Sequence, residues 1–305
     1  MTDSQVKSSF CHLAEECGCT VLFDEPMSKH TTFKIGGPAE IFVEAKSLQA
    51  LQCIIRCAVE SKIKYMILGN GSNILVSDSG IDGVVITLGG EFKAISLISD
   101  DTILCGAGVT LAKLSSFALE NSLEGLEFAW GIPGTVGGAV FMNAGAYGGE
   151  IKDVLNTCRH ISETGEVITL TRDDFNFGYR NSIYKENDWT ILDCVFKLKK
   201  GDKDSIKEKM TDYMNRRTSK QPLEYPSGGS VFKRPEGNFA GTLIEQCGLK
   251  GVSIGGACVS EKHAGFIVNK GGATCKDVCD LIALVQKTVK EKTGYQLERE
   301  LIIVE

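Results

Sequence analysis

The backbone of Gly69-Asn70-Gly71-Ser72-Asn73 is the first part of this chain equipped for chemistry. Glycine permits conformations in which successive N–H groups point the same way, and asparagine tolerates the left-handed region. Consecutive N–H groups so arranged form a concave nest for anions, to which Ser72 adds a hydroxyl. No Lys or Arg lies inside the loop, which suits a pyrophosphate held by backbone dipoles. The same residues also make an ordinary tight turn between strands, and composition leaves both readings open. About sixty residues later, Gly131-Ile132-Pro133-Gly134-Thr135-Val136-Gly137-Gly138 leads toward a helix start near Thr135. A helix N-terminus attracts phosphate, so the two cradles are suited to the two halves of one dinucleotide. The stretch 131–150 carries seven glycines in twenty residues, a density that fits close approach of backbone to a ligand.

Cations gather elsewhere. Lys220, Lys233 and Arg234 flank a third glycine-rich loop, around Ser230, with Arg216 and Arg217 just before it, in an otherwise acidic chain of net charge −6. They form either a diphosphate-binding cluster or a solvated basic segment. The overall balance disfavours nucleic acid and anionic membranes as partners. No apolar run approaches the ~20 residues that a membrane span needs. Met1-Thr2-Asp3-Ser4-Gln5 has no basic n-region, so a cytoplasmic location is expected. The twelve cysteines include no C-x-x-C, and the four histidines stand far apart. Reduced, buried thiols are expected, and no metal site. Neither a Walker A loop nor a full G-x-G-x-x-G fingerprint is present.

The elements that must position these groups follow from periodicity. Residues 6–18 read as a short helix, 39–45 as a strand, 47–60 as a helix with Leu48, Leu51, Ile54, Ile55 and Ala58 on one face, and 65–68 and 84–88 as strands. This gives a β-α-β unit with the glycine loop after its second strand. A hairpin over 92–99 and 102–107 precedes a helix capped by Thr110. Strands are expected over 153–161, 165–170 and 188–199, then a polar helix over 204–219. Helices over 240–247 and 274–289 alternate with short strands at 252–254 and 266–268, and a last strand at 301–304 is free to return to either domain. The chain divides into residues 1–200, with subdomains split near 90, and residues 201–305. A monomer is favoured.

The motifs LGNGSNILVSD, GAGV, GIPGTVGGAVFMNAGAYGGE, FGYRNS, PSGGSVFKRP and LERE occur in this order. In them the chain, from about His30 to Glu305, resembles the UDP-N-acetylenolpyruvoylglucosamine reductase family, flavoenzymes of peptidoglycan precursor synthesis. The resemblance implies an α+β protein: an FAD-binding fold of the vanillyl-alcohol-oxidase-like type, then a C-terminal substrate domain. It implies non-covalent FAD on Gly69, Asn70, Gly71, Ser72 and Asn73 and on Gly131, Pro133, Gly134, Thr135, Gly137 and Gly138, with NADPH as hydride donor. It implies reduction of a UDP-enolpyruvyl sugar, with Ser230 as proton donor and Arg180 and Glu300 as catalytic partners. By residue type alone, Ser230 is a turn residue, Arg180 a surface arginine, and Glu300 is not separable from Glu298, which shares its face in a strand. Lys220, Lys233, Arg234, Tyr184, Asn143 and Tyr147 are the expected substrate contacts, and His263 is expected to be structural. The absence of an inserted tyrosine loop after residue 180 resembles the family's shorter form. An oxidase of the same fold and a non-catalytic binding module are the rival readings.

Overall fold

The computed structural model describes residues 3–305, with side chains described from Lys7 onward; residues 1 and 2, part of the stretch read for a signal, lie outside the described residues. The chain forms two compact units, both discontinuous. The first runs to Phe23 and adds Ile41–Asn70 and Gly83–Asn215; the second consists of Asp24–Glu40, Gly71–Asp82 and Arg216–Glu305. The boundary expected near 200 thus falls between 215 and 216, inside the helix Lys203–Lys220. Two early segments cluster with the C-terminal part instead of the N-terminal one.

Two sheets build the first unit. In the smaller, the strands lie in the order Thr20–Pro26, Pro38–Ala45, Ile81–Leu88 and Tyr65–Leu68, the last two parallel. The helix Leu48–Glu60 starts where the Ser47 hydroxyl accepts from Ala50 N–H, and it buries Leu51, Ile54, Ile55 and Ala58 as its spacing predicts. The larger sheet is antiparallel, in the order Val167–Thr171, Leu155–Ile161, Thr190–Lys197, Thr102–Gly106 and Ile95–Ser99. Cys158 stands opposite Cys194, and Cys194 opposite Cys105, so three thiols form a buried row across it. Burial pushes the Cys105 thiol up to about 12, which keeps it protonated and inert. Among the described residues no disulfide joins any of the twelve cysteines. The helices Leu111–Glu120 and Val136–Met142 carry Leu111, Leu114, Val136 and Val140 into the same core.

The second unit is a four-stranded antiparallel sheet in the order Ser227–Ser230, Phe266–Asn269, Ala257–Val259 and Ser253–Ile254. The helix Cys275–Thr293 packs Val278, Leu281, Ile282, Val285 and Val289 into this unit's core. Its start is doubly fixed: Thr274 and Asp277 form a capping box, and the Asp78 carboxylate accepts from Cys275 and Lys276 N–H at 2.7 and 3.0 Å. The terminal strand Ile302–Val304 pairs in parallel with Ile74–Val76, immediately after the glycine loop. That pairing explains why 71–82 clusters with the C-terminal residues.

Candidate functional site

The loop at 69–73 has both of the properties expected of an anion nest. Among the described residues, the backbone N–H groups of Gly69, Asn70, Gly71 and Ser72 donate no hydrogen bond within the chain. Gly71 adopts φ +58°, and a Cβ there would lie 2.2 Å from the His30 carbonyl oxygen. Only glycine meets both demands. Four unspent donors in a loop that excludes side chains fit a pyrophosphate.

The second glycine cluster differs from expectation. Asn70 Nδ2 donates to the Pro133 carbonyl at 3.1 Å, and a Cβ at Gly69 would lie 2.6 Å from Thr135 Oγ1, so the two clusters do meet within the first unit. However, the N–H groups that open the helix Val136–Met142 are spent internally. Val136 N–H donates to Val109 O and Gly137 N–H to Ala107 O, at 2.8 and 2.9 Å. Gly138 N–H donates to the Thr135 hydroxyl at 3.3 Å. The first three N–H groups of this helix, Val136 to Gly138, are therefore engaged by the chain itself. Gly137 serves close packing on Ala107, whose Cβ would be 3.1 Å from a side chain at that position.

Arg180 occupies a turn in the first unit. Gly178 and Asn181 exchange both backbone hydrogen bonds, at 3.1 and 3.2 Å, across Tyr179 and Arg180. Arg180 itself sits at φ +53°, a left-handed conformation that is costly for a long side chain. Its guanidinium donates to the Gly145 carbonyl at 3.1 Å and lies 5.1 Å from the Tyr179 ring centroid.

Ser230 and Glu300 are neighbours in the second unit. Ser230 pairs with Phe266 at the end of its strand, and its hydroxyl donates to Phe232 O at 3.3 Å. Glu300 N–H donates to Val231 O at 2.8 Å, one residue along from Ser230. The glycine loop joins them: Asn73 Nδ2 donates to Glu300 O at 3.3 Å, and Ile302 N–H donates to Asn73 O. Thr32, which sequence reasoning missed, ties the remaining pieces. Its N–H donates to Gly71 O at 3.1 Å and its hydroxyl to Ser227 O at 2.7 Å. The available signal was the polar pair Thr31-Thr32 ahead of Gly36-Gly37. The Glu298 carboxylate, by contrast, is exposed and paired with Lys233 Nζ at 3.1 Å.

The expected substrate contacts divide. Lys220 is exposed on the last turn of its helix. Lys233 is engaged by Glu298, and Arg234 lies 3.9 Å over the Phe239 ring. Tyr147 is exposed and stacks on Tyr213 at 4.6 Å. Two residues are corrected. Tyr184 is a core side chain, 1% exposed and set edge-on against His160 and Trp189, so it has no surface to offer a substrate. Asn143 is fully buried, and its amide is spent on Glu150, Gly178 O and Lys152 N–H. His263 is structural, as expected: its Nδ1 accepts from Gly265 N–H at 3.1 Å, and burial pulls its pKa down. With Nδ1 accepting, the ring is neutral and protonated on Nε2.

Comparison with known proteins matches both parts of the chain. Residues 39–171 match the FAD binding domain model, and residues 221–304 match the model of the UDP-N-acetylenolpyruvoylglucosamine reductase C-terminal domain. The UDP-N-acetylenolpyruvoylglucosamine reductase of Clostridium perfringens (strain SM101 / Type A) is 50% identical over 286 residues, 93% of this chain and 93% of that protein. The homologue from Clostridium tetani (strain Massachusetts / E88) is 45% identical over 98% of this chain and 97% of its own length. The crystal structure of the reductase (MurB) from Thermus caldophilus superimposes with a TM-score of 0.81 at 35% identity, covering 94% of this chain and 99% of that one. An unspent nest at 69–72, Ser230 and Glu300 knitted to it through Thr32 and Asn73, and near-full-length similarity lead to one assignment: the chain belongs to the UDP-N-acetylenolpyruvoylglucosamine reductase family.

Proposed function

We propose that this chain is a cytoplasmic, FAD-dependent reductase that uses NADPH to convert UDP-N-acetylglucosamine enolpyruvate to UDP-N-acetylmuramate for peptidoglycan synthesis. The observation that carries this reading lies in the second unit, where Gly71 and Asn73 of the glycine loop, the Ser230 strand and the Glu300 segment share hydrogen bonds. FAD held at this nest would supply the redox chemistry that links NADPH oxidation to reduction of the enolpyruvyl group.

The protein's own groups act on what that transfer leaves behind. Negative charge develops on the neighbouring carbon and spreads into its carboxylate. Arg180 meets the carboxylate with a planar, permanently charged fork. Ser230 Oγ delivers the proton to the carbon; a hydroxyl suffices because the enolate is strongly basic. Glu300 orients the donors or assists delivery of the proton. Gly69, Asn70, Gly71 and Ser72 hold the FAD pyrophosphate through backbone N–H, and Lys220, Lys233 and Arg234 supply charge for the UDP diphosphate.

Anaerobic titration tests the proposal. The purified protein is expected to show flavin bands that bleach with NADPH and return on addition of the UDP-enolpyruvyl sugar. Bands that return with oxygen but not with the sugar would indicate an oxidase. Failure to take up FAD would overturn the assignment of the nest.

A further inference from the structure

Two turns of the first unit are cross-tied by a pair of side chains. The first is the hairpin in which Gly145 pairs with Glu150, immediately after the helix Val136–Met142. The second is the Gly178–Asn181 turn that presents Arg180. Asn143, at the helix end, reaches across: its Nδ2 donates to Gly178 O and to Glu150 Oε2, both at 2.9 Å. Arg180 reaches back and donates to Gly145 O at 3.1 Å. The Asn143 Oδ1 accepts from Lys152 N–H at 3.0 Å, which fixes the orientation of the amide. Asn143 is fully buried and left-handed at φ +43°, a conformation that asparagine tolerates better than most residues. The Lys152 ammonium beside Glu150 holds its carboxyl below the usual range, with the Asn143 amide and the charge of Arg180 acting in the same direction.

We propose that Asn143 is a positioning residue for Arg180: its buried amide grips the base of the turn and the neighbouring hairpin, and so fixes the direction in which the guanidinium is presented. A turn of this kind has only two backbone hydrogen bonds of its own and carries a strained arginine. Without the amide, Gly178 O and Glu150 each lose a buried donor, and the guanidinium loses its fixed frame. Misplacement of a binding fork by about 1 Å costs on the order of 100-fold in rate. The inference rests on the assignment of Arg180 to the substrate carboxylate.

The test separates the two half-reactions and the two claims. Asn143→Gly keeps the left-handed backbone and deletes the amide. In this variant, reoxidation of the reduced enzyme by the UDP-enolpyruvyl sugar is expected to slow about 10- to 100-fold, while reduction by NADPH stays within about 3-fold. Amide exchange at 178–181 is expected to quicken. Arg180→Ala should slow the same half-reaction, and the double variant should be no slower than Arg180→Ala alone. Asn143→Asp replaces Nδ2 by oxygen; acidification should restore a donor and recover the rate, a recovery absent from the unsubstituted enzyme. If Arg180→Ala reacts at full rate, the Arg180 assignment falls and the inference with it. If Arg180→Ala is slow but Asn143→Gly is not, or if the two losses multiply, the inference alone is overturned. Should Asn143→Gly not fold, failure of Asn143→Asp to recover at low pH overturns it equally.

Discussion

Arg180 and Ser230 are held by different means. Ser230 closes a strand, and the residues around it are fixed by a ladder of backbone bonds: Val231 to Gly265, Glu300 to Val231, Lys233 to Glu298. Arg180 stands on a turn with two backbone bonds of its own, tied to its surroundings by side-chain contacts that include the buried amide of Asn143. A ladder distributes its load, so no single side chain decides where Ser230 points. The turn concentrates its load, so the second unit should tolerate substitution beside its functional residue and the first should not.

The sharpest way to break that contrast is at Arg180 itself. Arg180→Lys keeps the charge but loses the planar fork, and kcat/KM for the sugar is expected to fall about 100-fold. Near-normal kinetics would mean that only charge matters and that the turn's geometry is incidental. Thr32→Val probes the ladder side. It deletes the hydroxyl that donates to Ser227 O at 2.7 Å, with an expected cost of about 1–2 kcal/mol in denaturant unfolding and little change in turnover. A catalytic loss as large as that of Arg180→Lys would show that the second unit also rests on one side chain.

A smaller effect concerns acid. In the first unit His160 is buried against Trp189 at 4.4 Å, with neither ring nitrogen hydrogen-bonded among the described residues. Burial holds its pKa below the ordinary 6.5. The unfolded chain therefore takes up the proton first as pH falls. The stability His160 contributes is full above about pH 6.5 and is lost as pH drops toward the folded value. Urea midpoints at pH 7 and 5.5 should differ less in His160→Phe than in the unsubstituted protein. Equal differences would contradict this. The smallest expectation is for Glu298→Gln. Its exposed pair with Lys233 contributes at most about 0.5 kcal/mol, and turnover should hold while Glu300→Gln loses it.

What could be read from the sequence follows the same division. The helix read over 47–60, the Thr110 cap and the apolar stripe read over 274–289 were legible because each is written within one or two turns of chain. The pairing of Ile302–Val304 with Ile74–Val76 was not, since parallel partners lie at opposite ends of the sequence. Ala257–Val259 is too short to show alternation. Glycine density located both clusters but could not say where their N–H groups go; those of 69–72 have no partner among the described residues, whereas Val136, Gly137 and Gly138 spend theirs on the chain. Tyr184 read as a substrate contact, because the rings that bury it, His160 and Trp189, are not its neighbours in sequence. Asn143 read as a ligand contact for the same reason: its three partners are scattered through 150, 152 and 178.

Ser230→Ala, followed anaerobically by stopped flow in two stages, tests the central claim most directly. Bleaching of the flavin by NADPH should proceed at the unsubstituted rate. Recovery of the bands on mixing with the UDP-enolpyruvyl sugar should slow by about 1,000-fold, within the range of a lost general acid. Recovery at the ordinary rate would remove Ser230 from the chemistry and contradict the account built on the second unit.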